Sequence, residues 1–485
     1  MAIAVTTLAT FSGISTGIEL PNALQSGGLL WALTALALAP LLLVAMRKFR
    51  AAFIPPLIFV GYLKTAESKG FSLTDPTVIA LLLLCGSTLL DLLLAITRKD
   101  HHWQRAFLTQ WKGVASFSAL AAMTAISYLY SPAPSYGWDK LTRFLVISGV
   151  LFFSPLVLIR KTDDLRHFTL AMLICAILLS IKLLYGINDA SLFDPTGHPL
   201  TSESREVTQI GAGQAVGFAL LWLLFCTHYS LRRLSLLISV PLLCAALIAS
   251  VARGPILFFV AVLVPFLCLR GVRAAVTATN VWLPVLLGGL LAFAASLDWL
   301  QQQESAQAKF ATKRAEIEEV LRGSSTPTYT AGRRLTLYRW ALEMFAQKPL
   351  TGWGLGGWSY YAFDRDVPAY PHNLVLEIAA EEGVMGLAAL GTLLLTVFLA
   401  LRRIWRSSPD LSFIAPVFAF SLLATMTSGD INVNRPLWLW CGVIFALGGI
   451  AQQRLRDSNR VEWHAFPATT FGIDRLPLRD YSVYS

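Results

Sequence analysis

Thirteen apolar runs, with very few charges inside them, restrict this chain to one kind of solvent. They fall at 29–46, 52–66, 77–97, 113–130, 141–159, 168–187, 207–228, 234–251, 255–269, 281–297, 383–401, 411–427 and 436–451. A helical crossing of a bilayer needs about 20 apolar residues, and most of the runs approach that length. Only 14% of the 485 residues are Asp, Glu, Lys or Arg, against about 25% in soluble domains. With 55% hydrophobic residues and a mean hydropathy of +0.60, there is too little polar surface to cover soluble domains of this total length. The runs are continuous rather than alternating, which excludes the wall of an outer-membrane barrel. The expected fold is all-α: a polytopic helical membrane protein with about 12–14 crossings. The run at 52–66 is short and holds Pro55, Pro56 and Lys64, so it reads as a broken or re-entrant piece. Residues 1–27 lack a basic start and hold Glu19, Pro21 and Asn22, so no cleavable leader is expected.

The net charge of +10 would suggest nucleic acid in a soluble protein. Here basic residues follow alternate runs, at Arg47/Lys48/Arg50, Arg98/Lys99/Arg105/Lys112, Arg160/Lys161/Arg166, Arg232/Arg233, Arg270/Arg273, Arg402/Arg403/Arg406 and Arg454/Arg456/Arg460. Positive charge collects in cytoplasmic loops, so these loops and the C-terminus are assigned to the cytoplasm and nucleic acid is not expected as a partner. The side of the N-terminus stays open, because the number of crossings before residue 77 is open. Cys85, Cys175, Cys226, Cys244, Cys268 and Cys441 lie in or beside apolar runs without metal-ligand spacing, and read as small buried hydrophobes.

The remaining loops then face outward: 131–140, 188–206, 252–254, 298–382 and 428–435. The long stretch 298–382 breaks an otherwise tightly looped pattern, and loops of that size are functional or disordered. Helical charge pairing over 309–321 points to order. So does the apolar stripe Leu337, Trp340, Ala341, Met344 and Phe345. Pro349 ends that second helix, and Gly352, Gly354, Gly356 and Gly357 form a tight turn. Residues 372–382 read as a further helix closed by Gly383. The expected organisation is a transmembrane bundle over 1–297, a large outer loop over 298–382, further transmembrane helices over 383–453, and a cytoplasmic tail over 454–485.

Topology sorts the candidate chemistry. His101, His102, His167, His228 and His464 fall inside or next to the cytoplasm, leaving His198 and His372 outside. His372 lies in Tyr370-Pro371-His372-Asn373, ahead of Glu377, Glu381 and Glu382. A neutral imidazole there suits a general base, and a surface histidine in a loop is the competing reading. A zinc pair of the HExxH kind is not expected, and no metal or cofactor is implied. Arg205, Arg253, Arg333, Arg334, Arg339 and Arg435 also fall outside, where positive-inside logic gives them no purpose. Guanidinium forks suit a diphosphate. Arg253 sits in a very short turn, where snorkelling at a helix end remains the alternative to an anion site at membrane depth. Asp430 and Asn432 read as sugar contacts, as groups orienting Arg435, or as a polar turn before a helix. Trp353, Trp358, Tyr360, Tyr361 and Tyr370 read either as sugar-stacking faces or as an interfacial belt.

Three stretches between 332 and 387 carry a resemblance: Gly332-Arg333-Arg334-Leu335 through Trp340-Ala341-Leu342 to Pro349-Leu350-Thr351-Gly352-Trp353-Gly354; Pro371-His372-Asn373-Leu374-Val375-Leu376-Glu377; and Glu382-Gly383-Val384-Met385-Gly386. Together they resemble the O-antigen ligase and O-antigen polymerase superfamily. The resemblance implies a GT-C-like, metal-independent glycosyltransferase of the bacterial inner membrane, acting on the periplasmic face. Its donor would be a glycan on undecaprenyl diphosphate, its acceptor lipid A–core or another glycan, and its surroundings membrane lipids. It assigns His372 as base and Arg253 as the arginine of an "SRG" turn, with Ala252 in place of the serine. It matches Arg334 to a "GR" arginine, with Arg333 as its rival. Arg205, Arg339, Arg435, Asn373, Glu377 and Asp430 are carried as contacts to diphosphate or sugar, and Glu377 or Glu381 would orient the imidazole. Ligation to lipid A–core leads; polymerisation of lipid-linked repeats and protein O-glycosylation are alternatives. A transporter or flippase is the rival from another class. It would need functional charges near mid-bilayer, and Asp91 and Lys182 are the main ones.

Overall fold

The computed structural model describes residues 29–63, 75–185, 202–226, 233–250, 252, 254–268 and 330–465. The run at 281–297, the pairing over 309–321, His198 and the end of the tail lie outside these residues. All regular structure among them is helical. The chain divides into two units, Met1–Arg50 and Ala51–Ser485. The first holds α1 (Leu29–Lys48), with Arg47 and Lys48 in its last turn.

The second unit holds α2 (Pro56–Leu63), α3 (Pro76–Thr97), α4 (His102–Thr109), α5 (Trp111–Tyr128), α6 (Pro134–Leu158), α7 (Thr162–Tyr185), α8 (Ser202–Phe225), α9 (Arg233–Ala249) and α10 (Gly254–Cys268). It continues with α11 (Thr330–Gln347), α12 (Gly357–Phe363), α13 (Leu374–Ser407), α14 (Ile414–Thr425) and α15 (Arg435–Ala465). Among the described residues, five helices are long and apolar enough to cross a membrane: α3, α6, α7, α13 and the apolar part of α15. Five more apolar helices are shorter. Ile79, Leu82, Leu89, Leu93 and Ile96 form an exposed stripe along α3, at spacings of three, four and seven residues. An apolar face of this kind suits hydrocarbon, and several such helices make this a multi-pass membrane protein.

Aromatic rings fill the core. Phe117 stacks on Phe152 at 4.0 Å, and Trp222 packs against Phe168, Phe413 and Trp440. Helices approach closely where glycine removes a side chain: Gly442 of α15 lies against the Phe152 carbonyl of α6, and Gly113 of α5 against the Phe445 ring. The sequence pattern places α2 as a short piece. It is eight residues long, and Lys182 donates to its last two carbonyls, Tyr62 and Leu63, at 3.1 Å. That spends the Lys182 ammonium on a helix C-terminus, a favourable end for a cation. Asp91 pairs with Arg160, which also meets Asp100. Both mid-run charges therefore serve helix ends.

The basic ends gather together. Arg160 joins the ends of α3 and α6, and Arg454 of α15 bonds Asp410 and Thr162. Helices α3, α6, α13 and α15 all run toward this end, and α5 runs away from it. The termini at Pro134, Leu374 and Arg435 thus share the opposite end. One expectation fails here: 131–140 is not a loop. Pro134 starts α6, because proline is suited to a first helical turn, and the helix carries Lys140 inward.

Candidate functional site

His372 stands in strained backbone. Its φ is +59°, a left-handed conformation costing a non-glycine residue about 1–3 kcal/mol. Pro371 fixes the preceding turn. Asn373 then caps α13 from both ends of its amide: Oδ1 accepts from Leu376 N at 3.1 Å, and Nδ2 donates to the Met426 carbonyl at 3.0 Å. The half-buried imidazole meets the Tyr370 ring edge-on, 4.7 Å between centroids.

The first turns of α13 run to Gly383, where the helix breaks at φ +67°, ψ −156°. The strap 349–355 occupies the break. Val384 N donates to Pro349 O at 2.8 Å and Gly354 N to Glu381 O at 2.8 Å. Leu355 N reaches Ser127 O at the end of α5. The glycines of the strap let backbone lie on backbone: a Cβ at Gly352 would meet the Glu381 carbonyl group. The sequence places a glycine turn and a helix end here; the structure packs one into the other.

Glu377, Glu381 and Glu382 all turn inward and are each 1% exposed. Glu377 and Glu381 are four residues apart, hence on one helix face. Lys140 of α6, fully buried, donates to both: to Glu377 Oε1 and, at 2.6 Å, to Glu381 Oε2. Thr124 Oγ1 donates to Glu382 Oε1 at 3.0 Å. The geometry thus gives Glu377 and Glu381 an ammonium partner, where the resemblance offered one of them to the imidazole.

The turn between α14 and α15 completes the end of the bundle. Tyr338 of α11 donates to Met426 O at 3.3 Å, the carbonyl that Asn373 also binds. Asp430 is 4% exposed: Oδ1 takes Asn432 N and Val433 N, and Oδ2 takes the Tyr136 hydroxyl at 3.1 Å. Ile431 N donates to Glu377 Oε1 at 3.3 Å. Asp430 thus holds the 430–433 turn and ties it to Tyr136.

The arginines divide. Arg334 is half-buried on α11 and four residues before Tyr338, which places it on the helix face that reaches Met426 and Asn373. Arg435 opens α15 within electrostatic reach of Asp430, Asp75, Tyr62 and Arg143. Arg339 is 80% exposed and pairs with Glu343 at 2.8 Å. Arg253 and the side chains of Arg205 and Arg333 lie outside the described residues. The neighbour Gly254 is described, and a Cβ there would lie 3.8 Å from Thr427 Oγ1, beside Met426. His372, Asn373, Arg334 and Glu377 are thereby brought to one end of the bundle together with the 426–435 turn. Among the described residues no His, Cys, Asp or Glu cluster is placed to hold a metal ion. Reading the sequence missed Lys140, Tyr136 and Tyr338. Lys140 carried a usable signal, being a cation in a segment assigned to the outer side.

Residues 234–391 match a family model described as O-antigen ligase. The match covers α9 to the middle of α13, and so includes Arg334, His372 and the three glutamates, but not Lys140 or Arg435. It supports the superfamily that the motifs resemble, and with it an enzyme of the ligase or polymerase type working on lipid-linked glycans. Among curated proteins none matches the chain.

Proposed function

We propose, from the match of residues 234–391 to a family model described as O-antigen ligase, that this protein transfers a glycan from undecaprenyl diphosphate to lipid A–core on the periplasmic face of the inner membrane. The segment 298–382 faces the periplasm and carries the base. The lipid diphosphate enters sideways from the outer leaflet, and Arg334, Arg253 and Arg435 hold its charge. His372 takes the proton of the acceptor hydroxyl as that oxygen attacks the anomeric carbon. The new C–O bond forms as the bond from the anomeric carbon to the phosphate oxygen breaks, which inverts the centre. Undecaprenyl diphosphate leaves carrying the electron pair of the broken bond, its negative charge neutralised by the guanidinium groups. The activated donor supplies the energy.

The observation that carries this reading is the backbone of His372. A left-handed histidine, held between a capping asparagine and a tyrosine ring, is strain retained where the position of one side chain matters. His372→Ala should abolish transfer while protein level and membrane insertion stay normal. Full transfer by that variant removes His372 from the reaction. In a deletion strain, loss of all long lipopolysaccharide bands with lipid-linked polymer retained marks ligation. A band of core plus one repeat marks polymerisation instead.

A further inference from the structure

Lys140 sits where membrane energetics disfavour a charge. Its side chain is fully buried inside α6, a helix long and apolar enough to cross the bilayer. We propose that Lys140 is a positioning residue for glycan transfer, which holds the His372 turn against the 430–434 turn and so sets where the base stands relative to Arg435. The proposal rests on His372 being that base.

The geometry makes α6 a common post for two otherwise separate segments. Lys140 grips the start of α13 through Glu377 and Glu381. One turn earlier, Tyr136 grips the 430–434 turn through Asp430. Glu377 Oε1 joins the two grips, because it also accepts Ile431 N. His372 lies five residues before Glu377, with the Asn373 cap between them, and Arg435 lies directly after the turn. Moving Lys140 would release the α13 end of that linkage.

Stability alone does not account for the arrangement. Replacing a buried ion pair with apolar residues is often neutral or stabilising, so this one is weak evidence for stability, and setting position is the role proposed for it. Among the described residues, Glu377 Oε2 and Glu381 Oε1 are buried with no protein donor. A brace optimised for stability would satisfy them. Meanwhile His372 keeps a left-handed backbone, which persists only where its surroundings over-determine it. The Lys140 contacts, with the Asn373 cap, supply that constraint.

The test removes charge without leaving any uncompensated: Lys140→Met combined with Glu377→Gln and Glu381→Gln. The purified variant is assayed with a fluorescent undecaprenyl-diphosphate oligosaccharide as donor. Lipid A–core and a second donor molecule are both offered as acceptors. The triple variant should accumulate and insert as wild type, with KM for the donor unchanged and kcat lowered about 100-fold, the loss expected from roughly 1 Å of misplacement. A wild-type kcat overturns the proposal, and so does a fall in KM-based binding alone. Should the triple variant not accumulate, Tyr136→Phe carries the test, since it removes one hydroxyl. There a lowered kcat at normal protein level supports the role and an unchanged kcat overturns it. His372→Ala is run alongside. Full activity in that variant sinks the base and the proposal together. An inactive His372→Ala beside a fully active triple variant sinks the role of Lys140 alone.

Discussion

Gly383→Ala tests the break in α13 that delivers the three glutamates to their partners. At φ +67° and ψ −156° the residue occupies a region open essentially to glycine, where any side chain costs about 1–3 kcal/mol. Space is lacking as well. A Cβ there would lie 2.5 Å from Leu350 O and 2.7 Å from Pro349 O. Both are backbone atoms and cannot rotate aside. Straightening the helix relieves the clash but breaks Val384 N to Pro349 O and Met385 N to Leu350 O, each worth about 1 kcal/mol net. The loss is therefore about 2 kcal/mol if the helix straightens and gives up both bonds, and about 1–3 kcal/mol of strain plus the clash if the break persists. Gly391→Ala is the matched control, because it lies in the same helix with no atom within 4 Å of the added Cβ. It should stabilise by about 0.5–1 kcal/mol, as alanine does in a helix interior. Unfolding of the purified variants by SDS titration, followed by tryptophan fluorescence, measures both. Equal stability of Gly383→Ala and wild type, or an equal loss in the two variants, would refute the reasoning.

Two further outcomes follow from single residues. Gly442→Ala puts a methyl against the Phe152 backbone where α15 crosses α6, and should destabilise by about 1–3 kcal/mol in the same titration. Gly449→Ala, in open space on the same helix, should not destabilise. Asp100 follows α3; partial burial raises its carboxyl pKa, but His102 and Arg160 outweigh that and hold it below the usual carboxylate range. A lowered folded-state pKa contributes stability above the unfolded value of about 4, and that contribution is lost as pH falls through the folded one. Melting curves of wild type and Asp100→Asn should therefore separate above pH about 4 and converge below it.

Much of this protein is legible along the chain. Apolar length sets the helices, because it expresses a local partition between hydrocarbon and water. The stripe from Leu337 to Met344, the helix beginning after His372 and its interruption at Gly383 also read directly, since they depend on neighbours a few residues apart. Lys140 shows where that reading stops. In sequence it is one charge near a proline; in the fold it lies between Glu377 and Glu381, more than 230 residues away. The same holds for Tyr136 with Asp430, and for the strap 349–355 folded into the α13 break. Asp430 reads equally as a ligand or a turn residue until its bonds are visible. Burial and the hydrophobic pattern act residue by residue, so sequence alone determined that this is a polytopic helical membrane protein. Which charges neutralise which depends on helices crossing at one depth and angle, and only the tertiary structure decided that.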